Sequence, residues 1–154
     1  MKNIIFLTHS EKKPSGGAKY IYNYSQIINE IKNFTSEVIH IKKKKTSKYR
    51  DSINKKLNCK RSIHSGWQFE DITYSKNFKY KWFDNKVNIK QNFHFDKNKD
   101  FVILPEIFAH IADDLLIRNN INYAIFVQNG YVINSTNDET KLLKVYQNAK
   151  FILS

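Results

Sequence analysis

The sequence predicts an α/β fold in which helices cover both faces of an open parallel sheet. Short, continuous apolar runs recur at 3–8, 101–104 and 123–127, as in strands buried on both faces. Between them lie segments whose apolar residues recur every three or four positions, the spacing of amphipathic helices. Strands that alternate with helices in this way are typical of parallel sheets.

The first 41 residues predict one strand–helix–strand unit. Residues 3–8 form the first strand, 9–16 a polar loop, 17–32 a helix and 36–41 the second strand. The helix has an apolar stripe formed by Ile21, Tyr24, Ile28 and Ile31. The crossover between two parallel strands should be right-handed.

The middle of the chain carries a weaker pattern. We expect a basic insertion at about 42–66, followed by an irregular or short-strand region at 67–99. Apolar and polar residues alternate partly over 67–74 and again over 78–82. This alternation indicates either one or two short strands or an irregular insertion.

From residue 101 the alternation of strands and helices resumes. Strands are predicted at 101–104, 123–127 and 151–153, and helices at 106–118 and 138–149. Asn119 and Asn120 can end the first of these helices in the left-handed conformation. Thr136 and Glu139 have the spacing of a capping box for the second. The apolar faces consist of Phe108, Ile111, Ala112 and Leu115 in one helix and of Leu142, Val145, Tyr146 and Ala149 in the other.

Length and composition indicate one domain of 154 residues with a real core, since 41% of the residues are hydrophobic. No apolar run approaches the ~18 residues of a membrane span, and the N-terminus lacks the pattern of a signal peptide. The single Cys59 excludes an internal disulfide, and the five histidines have no ligand spacing. We therefore predict no metal, no cofactor and a cytoplasmic location, with peripheral attachment to the inner membrane face as a further option.

The net charge of +12 is concentrated, because residues 42–61 carry ten cations and one anion. Of the 26 cations 23 are lysines, which a genome rich in A and T would also produce. The basic run has three interpretations: a solvated loop, a contact with an anionic membrane surface, or, least favoured, a contact with nucleic acid. Its residues are Lys42, Lys43, Lys44, Lys45, Lys48 and Arg50.

Candidate ligand-binding residues follow three predicted strands. In an open α/β sheet, ligands bind beyond the carboxyl ends of the strands. After the first strand come His9, Gly16, Gly17 and Lys19, after 101–104 comes Glu106, and after 123–127 come Gln128 and Asn129. Glycines and a lysine before a helix suit a phosphate, and amides can bond sugar hydroxyls. Each group also has an explanation without a ligand. Gly16 and Gly17 could form a plain turn before a helix, Glu106 could cap a helix, and Gln128 and Asn129 could form a turn.

Two segments resemble the N-terminal domain of retaining GT-B glycosyltransferases. They are MKNIIFLTHSEKKPSGGAKYIYNYSQIINE at the start, and DFVILPEIFAHIADDLLIRNNINYAIFVQNGYVI with LLKVYQNAKFILS later. ILPE and IFVQNGY are the most suggestive phrases. The resemblance covers 1–41 and 100–154, whereas Pro105-Glu106 stands where many family members have a histidine.

This resemblance implies a single Rossmann-like, acceptor-binding domain. Gly16 and Gly17 would face the phosphates and sugar of a nucleotide-sugar donor, and Glu106, Gln128 and Asn129 would line a cleft for a glycan or lipid acceptor. The donor-binding second domain is absent from these residues, so we expect the chain alone to be inactive, and no catalytic residue is assigned. The alternative is a non-catalytic binding module whose basic segment docks on anionic lipid or RNA.

Overall fold

The computed structural model describes residues 1–13, 15–45, 52–53, 67–82, 86–128 and 139–154. Within them, seven strands form one sheet in the order β3-β2-β1-β5-β6-β7, with β4 beside β2. The elements are β1 (Lys2–His9), α1 (Gly16–Glu30), β2 (Phe34–Lys43), β3 (Ile72–Tyr74), β4 (Asn88–Ile89), β5 (Asp100–Pro105), α2 (Ala112–Leu115), β6 (Asn122–Phe126), α3 (Glu139–Asn148) and β7 (Phe151–Leu153).

The sheet is mostly parallel. β1 pairs in parallel with β2 on one side and β5 on the other, and β6 and β7 continue the parallel order. β3 is the exception, because it runs antiparallel to the end of β2. The predicted α/β class is confirmed, with one short antiparallel strand added at the edge.

Two hydrophobic clusters lie on opposite faces of the sheet. On one face, Ile5, Leu7 and Leu104 pack with residues of the 106–121 segment and α3. On the other face, Phe6 and Val38 pack against α1. The central strands are therefore covered on both faces, which explains their continuous apolar runs.

Helix α1 begins at Gly16, one residue earlier than predicted, and the residues that it buries differ from the predicted stripe. The buried ones are Ala18, Ile21, Tyr22 and Ser25. Tyr24 and Ile31 of the predicted stripe are 44% and 49% exposed. Hydrogen bonds to β2 determine which side of α1 faces the sheet. The Tyr22 hydroxyl bonds the His40 ring, and Ser25 accepts a hydrogen bond from Ser36 at 2.9 Å.

The predicted helix at 106–118 is a composite. A 3₁₀ segment at Glu106–Ile111 leads into α2, and a second 3₁₀ turn covers Ile117–Asn119. All four predicted core residues of this segment are buried. The 3₁₀ winding aligns residues three apart, so Phe108 and Ile111 face the sheet without a continuous α-helix. Asn120 ends the segment in the left-handed conformation with φ 54°, as predicted.

In the middle of the chain, the described residues contain two short strands, β3 and β4. The 78–82 stretch forms no strand, although Tyr80 is buried in the cluster on the α1 face. Lys42 and Lys43 belong to β2, so the basic run starts inside a strand. Most of the predicted insertion, and Thr136 of the predicted capping box, lie outside the described residues. In the part that is described, no helix is long and apolar enough to cross a membrane.

Candidate functional site

Three loops meet at the carboxyl edge of the sheet. β1, β5 and β6 are parallel neighbours, so their carboxyl ends lie side by side. β1 ends at His9, Glu106 follows directly on β5, and Gln128 lies two residues beyond β6. Asn129, the other candidate of that last loop, lies outside the described residues.

The N-terminus of α1 lies at the same edge, because α1 directly follows the loop that leaves β1. Ser15 caps the helix, and its Oγ accepts a hydrogen bond from the Ala18 amide at 3.5 Å. The first amides of a helix have no partner within the helix, and its dipole places a partial positive charge there. Lys19 is exposed in the first turn and adds a full charge. This end of α1 therefore has the electrostatics of an anion site.

Gly17 lies against Gln128. A Cβ at Gly17 would lie 2.6 Å from Cδ of Gln128, so a side chain at position 17 would require the exposed Gln128 side chain to move. The loop after β6 therefore rests on the first turn of α1, and two of the candidates predicted from separate loops are in contact. Because the end of this flexible side chain can move at little cost, the contact does not by itself require glycine at position 17.

Gly16 has a different environment. A Cβ built there meets no atom within 4 Å, and the residue is exposed. No glycine among the described residues has a positive φ, so backbone conformation does not require glycine here either. Close approach of a ligand would explain glycine at this position.

His9 is half-buried at the end of β1. Its Nδ1 accepts a hydrogen bond from the Glu11 amide at 3.4 Å, which leaves Nε2 as the protonated nitrogen of the neutral ring. Desolvation lowers the pKa of His9, with the Glu11 charge opposing it. The Tyr80 hydroxyl donates to the His9 carbonyl oxygen and so fixes the strand end. His9 is thus a neutral donor at the edge of the site.

Behind His9 lies a buried group of polar aromatic side chains that sequence reasoning missed. Tyr22 Oη lies 2.6 Å from His40 Nε2, and the rings of His40 and Tyr80 have centroids 5.6 Å apart. Burial lowers the pKa of His40 to about 4, with a smaller contribution from His9. Burial likewise raises the pKa of Tyr80 to about 12 and that of Tyr22 further. A histidine inside the apolar run 36–41 was the available signal.

Glu106 is only 1% exposed. It lies close enough to Tyr146 of α3 that its charge, after burial, raises the pKa of the Tyr146 hydroxyl. The resemblance implies that Glu106 lines the cleft between two domains; within the described residues its side chain is almost fully buried.

The basic run is partly engaged within the molecule. Lys43 lies over the Trp67 ring, with Nζ 5.6 Å from the ring centroid, and Lys44 donates to the Glu70 carbonyl oxygen at 2.7 Å. Lys42 and Lys45 are exposed, and Lys48 and Arg50 lie outside the described residues.

The described residues contain no group of three or more histidine, cysteine or acidic side chains arranged to hold a metal ion. Comparison with protein-family models, with curated proteins and with solved structures finds no match for this chain.

Proposed function

We propose that this chain is the acceptor-side domain of a glycosyltransferase that moves a sugar from a nucleotide-sugar donor to a hydroxyl of a glycan or lipid. The observation that carries the proposal is the carboxyl edge, where the exposed Gly16 and the Gly17–Gln128 contact adjoin the ends of parallel strands. The resemblance of the strand–loop–helix start to GT-B enzymes supports it. Most donor contacts are assigned to a second α/β domain outside these residues.

Each group at the edge has a role in this proposal. The first amides of α1 and the Lys19 ammonium stabilise the negative charge that develops on the leaving diphosphate, an electrostatic contribution that is usually large. The Gln128 amide, held on Gly17, orients a sugar or acceptor hydroxyl. His9 donates from Nε2 to an oxygen of the bound molecule.

The second candidate function, docking of the basic run on anionic lipid or RNA, is less well supported. Lys43 and Lys44 make contacts within the molecule, so fewer cations of the run are available for a surface. Lys42, Lys44 and Lys45 are exposed, and since Lys44 donates to the Glu70 carbonyl oxygen, such a surface would use Lys42 and Lys45.

Adjacent glycines offer a matched test of the proposed diphosphate site. Gly16→Ala adds a methyl group where the protein leaves open space, whereas Gly17→Ala forces Gln128 away. We expect Gly16→Ala to keep or raise stability, by up to about 1 kcal/mol, and to weaken diphosphate binding at least tenfold. Gly17→Ala should weaken binding by displacing the Gln128 amide, with little change in stability because that side chain is exposed and can move.

The measurement is a titration of the 154-residue chain with uridine and guanosine diphosphates, followed by amide NMR, alongside urea unfolding of each variant. In the wild type, the amides of residues 16–19 and the Gln128 side chain should shift. Absence of these shifts, or equal binding by wild type and Gly16→Ala, would contradict the proposal. Binding to phosphatidylglycerol vesicles that Lys42→Gln/Lys45→Gln abolishes would instead support the second candidate.

A further inference from the structure

An apolar groove runs along the sheet beside α1. It has a volume of about 500 Å³ and lies over β5, β6 and β7, on the face that α1 covers mainly above β1 and β2 and reaches at β6 through the Tyr24–Phe126 ring contact. Phe101, Ile103, Ala124 and Phe151 form its floor, and Ile28 of α1 and Ile31, which directly follows α1, form one wall. Lys2, Lys97 and Lys99 line it where the strands begin.

Helix α1 forms an apolar ridge next to this groove. Tyr20, Tyr24 and Ile27 are spaced four and three residues apart, so they share one stripe on the side away from the buried residues, and Ile31, the C-cap residue, follows at the end of the helix. They are 58%, 44%, 53% and 49% exposed, respectively. A helix that only covered its own sheet would carry polar residues along this stripe.

Exposed apolar side chains are concentrated on this face. Eleven large hydrophobic residues are exposed in the described part of the chain, and seven belong to the ridge, to the groove or to their junction. The seven are Tyr20, Tyr24, Ile27, Ile31, Phe34, Phe151 and Leu153. A contiguous apolar patch of this kind marks an interaction surface.

We propose that two copies of this chain associate through this face, with the α1 ridge of each copy seated in the groove of the other. A ridge beside a groove is self-complementary under a two-fold axis parallel to α1, because that rotation places each ridge opposite the partner's groove. An axis across the strands would instead oppose ridge to ridge. The interface is isologous, the commonest arrangement in homodimers.

Charge complementarity selects the same arrangement. An axis parallel to α1 keeps the two helices parallel, so the C-terminal end of each α1 lies where the partner's strands begin. That end carries the exposed Glu30 and the negative end of the helix dipole, with the exposed Lys32 just beyond the C-cap. The groove there is lined by Lys2, Lys97 and Lys99 together with a single carboxylate residue, Asp100, so cations predominate. A second copy of this chain therefore supplies both the apolar ridge and the matching charge.

The oligomeric state of the 154-residue chain, measured by sedimentation over a concentration series, tests this proposal. We expect a reversible dimer that Ile27→Glu on the ridge and Phe151→Glu in the groove each weaken at least tenfold. Both side chains are more than half exposed, so the monomer fold should survive, as circular dichroism will check. The matched control is Leu143→Glu, a 59% exposed residue of α3 on the other side of the sheet, which should dimerise like the wild type.

A charge exchange tests the orientation. Glu30→Lys and Lys97→Glu should each weaken the dimer, and the double variant should recover most of the lost affinity. A chain that stays monomeric at all concentrations, or a dimer that Leu143→Glu disrupts as much as Ile27→Glu does, would overturn the proposal. Binding of a different protein or a vesicle to the same residues of a monomeric chain would also overturn it.

Discussion

His40 is a neutral histidine enclosed in the core. The side chain is completely buried, Tyr22 bonds its Nε2, and its Nδ1 has no hydrogen-bond partner among the described residues. Phe78 and Tyr80 lie against its ring. A charge in such surroundings is strongly disfavoured, and this is why burial lowers the pKa of His40 to about 4.

The low pKa of His40 predicts a stability that decreases in acid. The folded-state pKa of about 4 lies below the ordinary value of 6.5, so His40 favours the folded state above pH 6.5. That contribution, about 3 kcal/mol, is lost progressively as the pH falls from 6.5 to about 4. Urea unfolding over this range should show a shallower pH dependence for His40→Gln than for the wild type. His94→Gln, at an exposed histidine, is the control and should leave the slope unchanged; equal slopes for all three proteins would contradict the prediction.

At the residue scale, the strand order predicted that the candidate loops share one edge of the sheet, but it could not predict the contacts between their side chains. The loops of Gly17 and Gln128 were predicted to share one edge because both follow parallel strands, and they touch. The burial of Glu106 and the His40–Tyr22 bond depend on side chains far apart in sequence, which no local pattern encodes.

At the element scale, one side chain joins the three strands at the centre of the sheet. Asn3 of β1 donates from Nδ2 to Glu37 of β2 at 2.9 Å and to Asp100 of β5 at 3.1 Å. Its Oδ1 accepts a hydrogen bond from the Thr35 hydroxyl at 3.1 Å. The strand register places Thr35 and Asp100 opposite Asn3, and Glu37 two positions further along β2, so these bonds favour this register over a shifted one.

Replacing Asn3 should therefore weaken the sheet. Asn3→Ala leaves the buried carboxylate of Asp100 without one of its donors, and we expect the free energy of unfolding to fall by about 2 kcal/mol. Asn122→Ala, at the exposed first residue of β6, provides the control and should change it by less than about 0.5 kcal/mol. Urea denaturation measures both variants, and similar losses for the two would refute the role of Asn3.

Hydrophobic spacing predicted the existence of the main elements more reliably than their contacts. α1 has apolar residues on two sides, so their spacing alone could not tell which side faces the sheet. Hydrogen bonds that Tyr22 and Ser25 make with residues of β2 determine the side that is buried. In the 106–118 segment, spacings of three suit a 3₁₀ turn as well as an α-helix. The local sequence pattern answers neither question, and tertiary contacts determine both.

At the scale of the whole molecule, the sheet is unevenly protected. β1 is paired on both sides and packed on both faces, and Ile5, Phe6 and Leu7 are buried. β7 has three residues, pairs with β6 alone among the described strands, and exposes Phe151 and Ile152. The parallel order was predictable from alternating strands and helices, whereas the openness of β7 depends on which faces the helices cover.

This difference predicts the pattern of amide hydrogen exchange. Amides exchange by local opening wherever few apolar contacts hold a strand, and only by global unfolding where both faces are packed. In dilute protein, we expect the slowest exchange in β1 and β5, intermediate rates in β2 and β6, and the fastest in β7. Exchange followed residue by residue with NMR checks this order, and protection of β7 equal to that of β1 would contradict it. Raising the protein concentration should then slow exchange at the exposed face of α1 and in β7, because self-association covers the groove. Exchange in β1 should stay unchanged, because that strand is already packed on both faces.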